Sequence, residues 1–167
     1  PRQQTLRAAI DWSYDLLDAD ERRLFRTIAV FRGGFTLEAL EQIAACGMHN
    51  SQFATRNSLD LLTQLVDKSL VIVEWQGNEN RYRMLETLRE YALEQGNSSH
   101  ELQKIQQCHA EFFLNWAEQA APRLTGIQQQ EWLNHIEIEH PNLRAALEYL
   151  IEKGAPALSQ RLAVALF

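Results

Sequence analysis

The chain has 167 residues, 46% of them hydrophobic, and its 16 basic against 22 acidic side chains give a formal net charge of -6. That length and composition support a folded globular protein with one substantial core or two small ones. The acidic balance speaks against an affinity built mainly on neutralising phosphates, which normally needs a basic surplus.

Cys46 and Cys108 are the only cysteines, too few and too far apart to suggest a disulfide framework or a metal knuckle, so buried reduced thiols are expected. No window approaches the roughly 18 uninterrupted apolar residues that span a bilayer, and Pro1-Arg2-Gln3-Gln4 does not open a signal peptide, so a cytoplasmic protein is expected. A first residue other than Met and an end in mid-pattern at Phe167 lead us to expect a piece of a longer polypeptide.

Leu6, Ala9, Ile10, Ser13, Leu16 and Leu17 recur at helical spacing, which predicts a first helix with one buried face and partly buried Trp12 and Tyr14. Asp18 with Glu21 has capping-box spacing, and Leu24, Phe25, Ile28 and Ala29 form the inner face of a second helix that Gly33-Gly34 would end. Thr36 is the expected cap of a third helix through Leu37, Leu40, Ile43 and Ala44, stopping near Gly47. The stretch 48–57 is polar and irregular. Ser58 then precedes Leu59, Leu61, Leu62, Leu65 and Val66, a fourth helix in the position of a recognition helix.

Leu70–Trp75 is an apolar, β-branched run, Gln76–Asn80 supplies Gly and Asn for a reversal, and Arg81–Leu85 alternates charged and apolar residues. This is a β-hairpin. Thr87 and Glu90 have capping-box spacing, so a helix through Leu88, Tyr91 and Ala92 should follow with almost no loop. Helices followed by a small ribbon predict a winged-helix type of α+β domain.

Gln95–Ser99 is the best internal boundary, dividing the chain into 1–96 and 97–167. Beyond it a long helix runs through Leu102, Ile105, His109, Phe112, Phe113 and Trp116 and ends before Pro122. Trp132, Leu133 and Ile136 mark another, Pro141-Asn142 is expected to open a third that Gly154 closes, and Pro156 starts a fourth. The fold class expected is thus mainly α, a winged helix followed by a helical, repeat-like region.

No phosphate loop, dinucleotide fingerprint, zinc-protease helix or nucleophile elbow is present in the sequence, so no enzyme site is expected within the chain. His135 and Glu139 stand at i,i+4 spacing, yet two ligands do not make a zinc site, and no metal is expected. His49 and His109 are read as structural. From Arg56 to Arg83 the bases Arg56, Lys68, Arg81 and Arg83 are balanced by Asp60, Asp67, Glu74 and Glu79, which disfavours direct DNA readout.

Three separated blocks, TLRAAIDWSYDLLDADERRLFRTIAVFRGGFTLEALE, LLTQLVDKSLV and RYRMLETLREYALEQ, resemble the region just after the nucleotide-binding core in bacterial signal-transduction ATPases of the STAND class. These are relatives of NB-ARC proteins, often joined to LuxR-type transcription regulators. WLNHIEIEHPNLRAALEYL resembles the start of their helical, tetratricopeptide-like tail.

The resemblance implies a non-catalytic regulatory segment, its winged helix a latch on an intramolecular nucleotide-binding domain and its tail a surface for a protein or small-molecule inducer. ATP or ADP is then expected in the full-length parent, with no cofactor in this chain. The family's Met-His-Asp, whose histidine touches the β-phosphate of ADP, corresponds to Met84, Leu85 and Glu86, with Arg83 beside them as the nearest cation. Leu85 cannot donate to a phosphate. The alternative is a DNA-binding winged-helix transcription regulator with a helical dimerisation domain.

Overall fold

In a computed structural model, residues 2–47, 57–76, 79–96 and 100–166 are described. The elements run α1 (Arg2–Asp15), α2 (Ala19–Ile28), α3 (Leu37–Gly47), α4 (Ser58–Asp67), β1 (Ile72–Gln76), β2 (Glu79–Arg83), α5 (Glu86–Gly96), α6 (His100–Ala120), a 3-10 turn (Ala121–Leu124), α7 (Gln129–Glu152) and α8 (Pro156–Leu166). The expected architecture is borne out: helices with one antiparallel hairpin, the winged helix first and the helical region after it.

The capping logic holds where it was strongest. Asp18 accepts from the Glu21 amide at 2.9 Å while the Glu21 carboxylate accepts from the Asp18 amide at 2.8 Å, fixing the start of α2. The Thr36 hydroxyl accepts from the Ala39 amide and opens α3. At α4 the cap is Asn57, its side-chain oxygen accepting from the Leu59 amide. Residues 48–56, including His49 and Arg56, lie outside the described residues.

Several expectations are corrected. Gly33-Gly34 does not end α2, which stops at Ile28. The pair instead takes φ of 79° and 118° to turn the chain into Phe35, and a Cβ on Gly33 would meet the Pro141 ring at 2.8 Å. Thr87 is not a cap either, because α5 begins at Glu86 and Thr87 lies inside its first turn. Pro141 does not open a helix, since α7 runs unbroken for 24 residues with Pro141 inside it. The fit of its ring against Gly33 and the tethering of Asn142 hold the backbone in place where one helical hydrogen bond is lost.

The first helix also departs from its pattern. Trp12 is 67% exposed, and Leu6 and Leu16 are exposed with it, so the expected partly buried Trp12 is wrong. Among the described side chains of α1, Ile10 and Tyr14 pack against the core, with Leu17 buried just after it. Period alone shows that a helix has an apolar face, and the neighbours decide whether anything covers it.

The strands are displaced from the predicted ranges: Leu70 and Val71 are buried before the hairpin begins, and both their amides donate to the Leu65 carbonyl at the end of α4. The register pairs Ile72 with Arg83, Val73 with Tyr82, Glu74 with Arg81 and Gln76 with Glu79. Residues 77–78, at the reversal, lie outside the description. A third backbone segment joins the ribbon at one point, where Phe35 and Tyr82 exchange hydrogen bonds of 2.9 and 2.8 Å.

One hydrophobic cluster extends from Leu17 and Phe25 through Phe113 to Leu143 and Leu162, so the helical region shares a core with the winged helix. The expected boundary falls at 96/97, and residues 97–99 lie outside the described residues. Cys46 on α3 and Cys108 on α6 are disulfide-bonded, with Cα atoms 5.9 Å apart. The expectation of reduced thiols is therefore corrected: 62 residues of sequence separation become contact once α6 lies along α3. Among the described residues no helix is long and apolar enough to cross a membrane.

Candidate nucleic-acid interface

The helix in the recognition position, α4, turns Leu61, Leu62 and Leu65 into the core. Its outward residues are Leu59, Asp60, Thr63 and Asp67. Among the described residues the cation next to α4 is engaged elsewhere, because Lys68 Nζ lies 2.5 Å from Glu21 Oε1. The exposed face of α4 is therefore neutral to acidic. Asn57 and Thr63 remain as polar groups of the kind that contact base edges or sugar-phosphate oxygens.

The wing offers a different surface. Trp75 is 70% exposed and Val73 is exposed beside it, both on the ribbon face that carries Tyr82. Its two arginines are committed. Arg83 donates to Glu74 Oε1 at 2.6 Å across the ribbon. Arg81 is buried, its Nη1 donating to Glu139 Oε1 at 2.5 Å.

That ion pair belongs to a polar cluster joining the wing to the tail. Glu139 Oε2 accepts from Asn142 Nδ2 at 2.8 Å, which also donates to the Gly34 carbonyl at 2.8 Å. Asn142 Oδ1 accepts from the Arg32 amide at 2.7 Å. His135 shares the α7 face with Glu139, as the spacing predicted, but Glu139 is taken by Arg81. Among the described residues no group of three or more His, Cys, Asp or Glu side chains converges to hold a metal.

The four residues singled out by resemblance sit together at the exit of β2. Arg83 is tied to Glu74, Met84 packs half-buried against the core, and Leu85 is largely exposed. Glu86 pairs with Arg89 one turn on, and that contact holds its carboxyl below the usual carboxylate range. His109, read as structural, is buried between Phe31 and Phe113, and burial pushes it down to about 4, against the opposing pull of its hydrogen bond with Asn142.

Sequence reasoning found the hairpin and the recognition-position helix but missed the Arg81–Glu139–Asn142 cluster. The available signal was an asparagine and a glutamate three apart on one apolar helix, which without tertiary contacts resembles an ordinary solvated pair.

The described elements from α2 to α5 form a winged helix-turn-helix, and residues 17–97 match the family model described as "Winged helix-turn-helix domain". The chain is homologous to proteins named as helix-turn-helix regulators. It is 41% identical over 153 residues to "Putative HTH-type transcriptional regulator Rv0890c" of Mycobacterium tuberculosis H37Rv, covering 92% of this chain and 17% of that protein. The same identity and coverage hold for "Putative HTH-type transcriptional regulator Mb0914c" of Mycobacterium bovis. A third relative, "Uncharacterized protein Rv0894" of M. tuberculosis H37Rv, is 38% identical over 103 residues, or 62% of this chain and 25% of that protein. The chain thus spans about a sixth of the length of the regulators it matches. No solved structure matches it.

Proposed function

We propose that this chain is the winged-helix and helical segment of a transcription regulator, with the winged helix as its DNA-contacting module. The observation that carries this reading is the winged helix-turn-helix match over residues 17–97, set within homology to a helix-turn-helix regulator along 92% of the chain. It outweighs the charge argument against DNA readout, because a module within a much longer protein need not supply the phosphate-neutralising charge itself. Contact would fall on Asn57, Thr63 and the wing residues Trp75 and Arg83. With the described cations Lys68, Arg81 and Arg83 all paired, this module should add little to the salt dependence, a log–log slope of magnitude about 2 or less.

Selection of the full-length parent on a pool of randomised duplexes, followed by fluorescence anisotropy across salt concentrations, tests the reading. Enrichment of a sequence whose binding weakens in Thr63→Ala and Arg83→Ala supports it. Failure to retain any duplex at low salt overturns it.

A second reading is favoured by the acidic outer face of α4 and the engaged arginines of the wing. In it the winged helix is a non-catalytic latch within a STAND-type ATPase, docking on an intramolecular domain that holds ATP or ADP. Arg83, Met84, Leu85 and Glu86 would then face the nucleotide, and the tail would meet a protein or small-molecule inducer. Such a latch works only through contacts that differ between nucleotide states. If protection of the Leu85–Arg89 amides in the full-length parent is the same with ADP and with ATP, this second reading falls. In either reading we place the protein in the cytoplasm, where the Cys46–Cys108 bond would meet a reducing poise, and the chemistry outside this chain.

A further inference from the structure

Between the winged helix and the tail lies a cleft of about 430 Å³, walled by α3, β2, α6 and α7. That volume is in the range of small-molecule sites, roughly 300–1,000 Å³. Its apolar wall is aromatic: Phe112, Trp116 and Trp132 line it, with the two indoles 6.1 Å apart and His135 edge-on to Trp132 at 5.3 Å.

The charges decide what such a cleft prefers. Arg81 and Glu139 both line it but cancel each other at 2.5 Å. Arg81 Nη2 makes no hydrogen bond, yet it is sealed from solvent and out of reach of an incoming anion. Glu38 on α3 and Glu79 on β2 remain on the rim, both exposed. Glu38 accepts one bond from Gln42, and α6 lines the cleft with the neutral amides of Asn115 and Gln119. Among the residues that line the cleft the uncompensated charge is therefore that of the two carboxylates. The Trp132 ring already holds the Arg123 guanidinium 4.6 Å from its centroid, so that face is occupied, and Trp132 offers an occupant packing surface while Trp116 offers the cation–π face.

We propose that this cleft is a binding site for a flat organic cation, an aromatic or aliphatic body bearing a quaternary or protonated nitrogen. The aromatic wall takes the body, with packing against Trp132 and cation–π attraction from Trp116, and Glu38 and Glu79 hold the positive end. Because β2 and α7 both line the cleft, an occupant touches the wing and the tail at once and favours the arrangement in which the two are clamped together. The site is independent of whether the winged helix meets DNA or another domain.

Isothermal titration of the 167-residue chain with berberine, a planar quaternary cation, tests this, with fluorescein as a planar anion of similar size. Berberine binds at one site per chain, and fluorescein does not bind. Glu38→Gln with Glu79→Gln, two exposed and conservative changes, weakens berberine about tenfold, and Trp132→Leu does so by a similar factor. Circular dichroism of each variant confirms the wild-type fold. The proposal is overturned by no saturable berberine binding up to about 1 mM, by several equivalents bound per chain, by comparable affinity for fluorescein, or by unchanged affinity in the folded charge variant.

Discussion

Replacing Glu139 with Ala strips the counter-charge from Arg81, which is only 5% exposed. In the native protein Arg81 Nη1 donates to Glu139 Oε1 and Nη2 has no partner, so the charge rests on one short contact. Asn142 Nδ2 loses one of its two acceptors by the same substitution and keeps only the Gly34 carbonyl. Breaking one side of a buried pair costs about 3–5 kcal/mol, because the remaining charge stays desolvated. Replacing both groups by apolar ones, Arg81→Met with Glu139→Leu, should cost about 1 kcal/mol or less for the same reason.

Urea unfolding of the wild type, Arg81→Met, Glu139→Leu and the double variant closes the cycle, with an expected coupling of at least about 3 kcal/mol. Hydrogen exchange localises the effect: the Phe35 and Tyr82 amides, which bond each other's carbonyls beside Arg81, should lose protection in Glu139→Ala. A single-variant cost under about 1 kcal/mol would refute the reasoning, since the pair would then behave as a solvated surface bridge.

Other perturbations have equally definite outcomes. His109 has a folded pKa of about 4, below its unfolded value of about 6.5, so its neutral form stabilises the fold above pH 6.5. That contribution is lost as pH falls through this window, up to about 3 kcal/mol. Thermal melts of wild type and His109→Leu should therefore converge in stability toward pH 4, and parallel pH dependences would contradict the assignment. Reducing the Cys46–Cys108 bond, which closes a loop with 62 residues of sequence separation, should lower stability by up to about 4 kcal/mol on a chain-entropy estimate. Denaturation with and without dithiothreitol measures this, and Cys46→Ser should show no response to the reductant. Gly33→Ala forces a side chain onto the Pro141 ring at a φ of 79° and should cost about 1–3 kcal/mol. Ser69→Gly relieves a left-handed φ of 58° and should gain about 0.5–1 kcal/mol, both read by urea midpoint.

The sequence by itself determined the local elements. Helical spacing gave α2, α3, α4 and α6, the Asp18–Glu21 box fixed a helix start to the residue, and the change of period at residue 70 announced the hairpin. These features are legible because capping and amphipathic period are encoded within a few adjacent residues. Tertiary structure decided the rest. Pro141 stays inside a continuous helix because Gly33, over a hundred residues earlier, leaves room for its ring. Trp12 is exposed although its helix is amphipathic, because no described element covers that face. Arg81, read as one of four bases against four acids, disappears from the surface into a pair with Glu139, and Cys46 meets Cys108. A period says which side chains share a face, whereas the charge a surface presents depends on which partners arrive from distant parts of the chain.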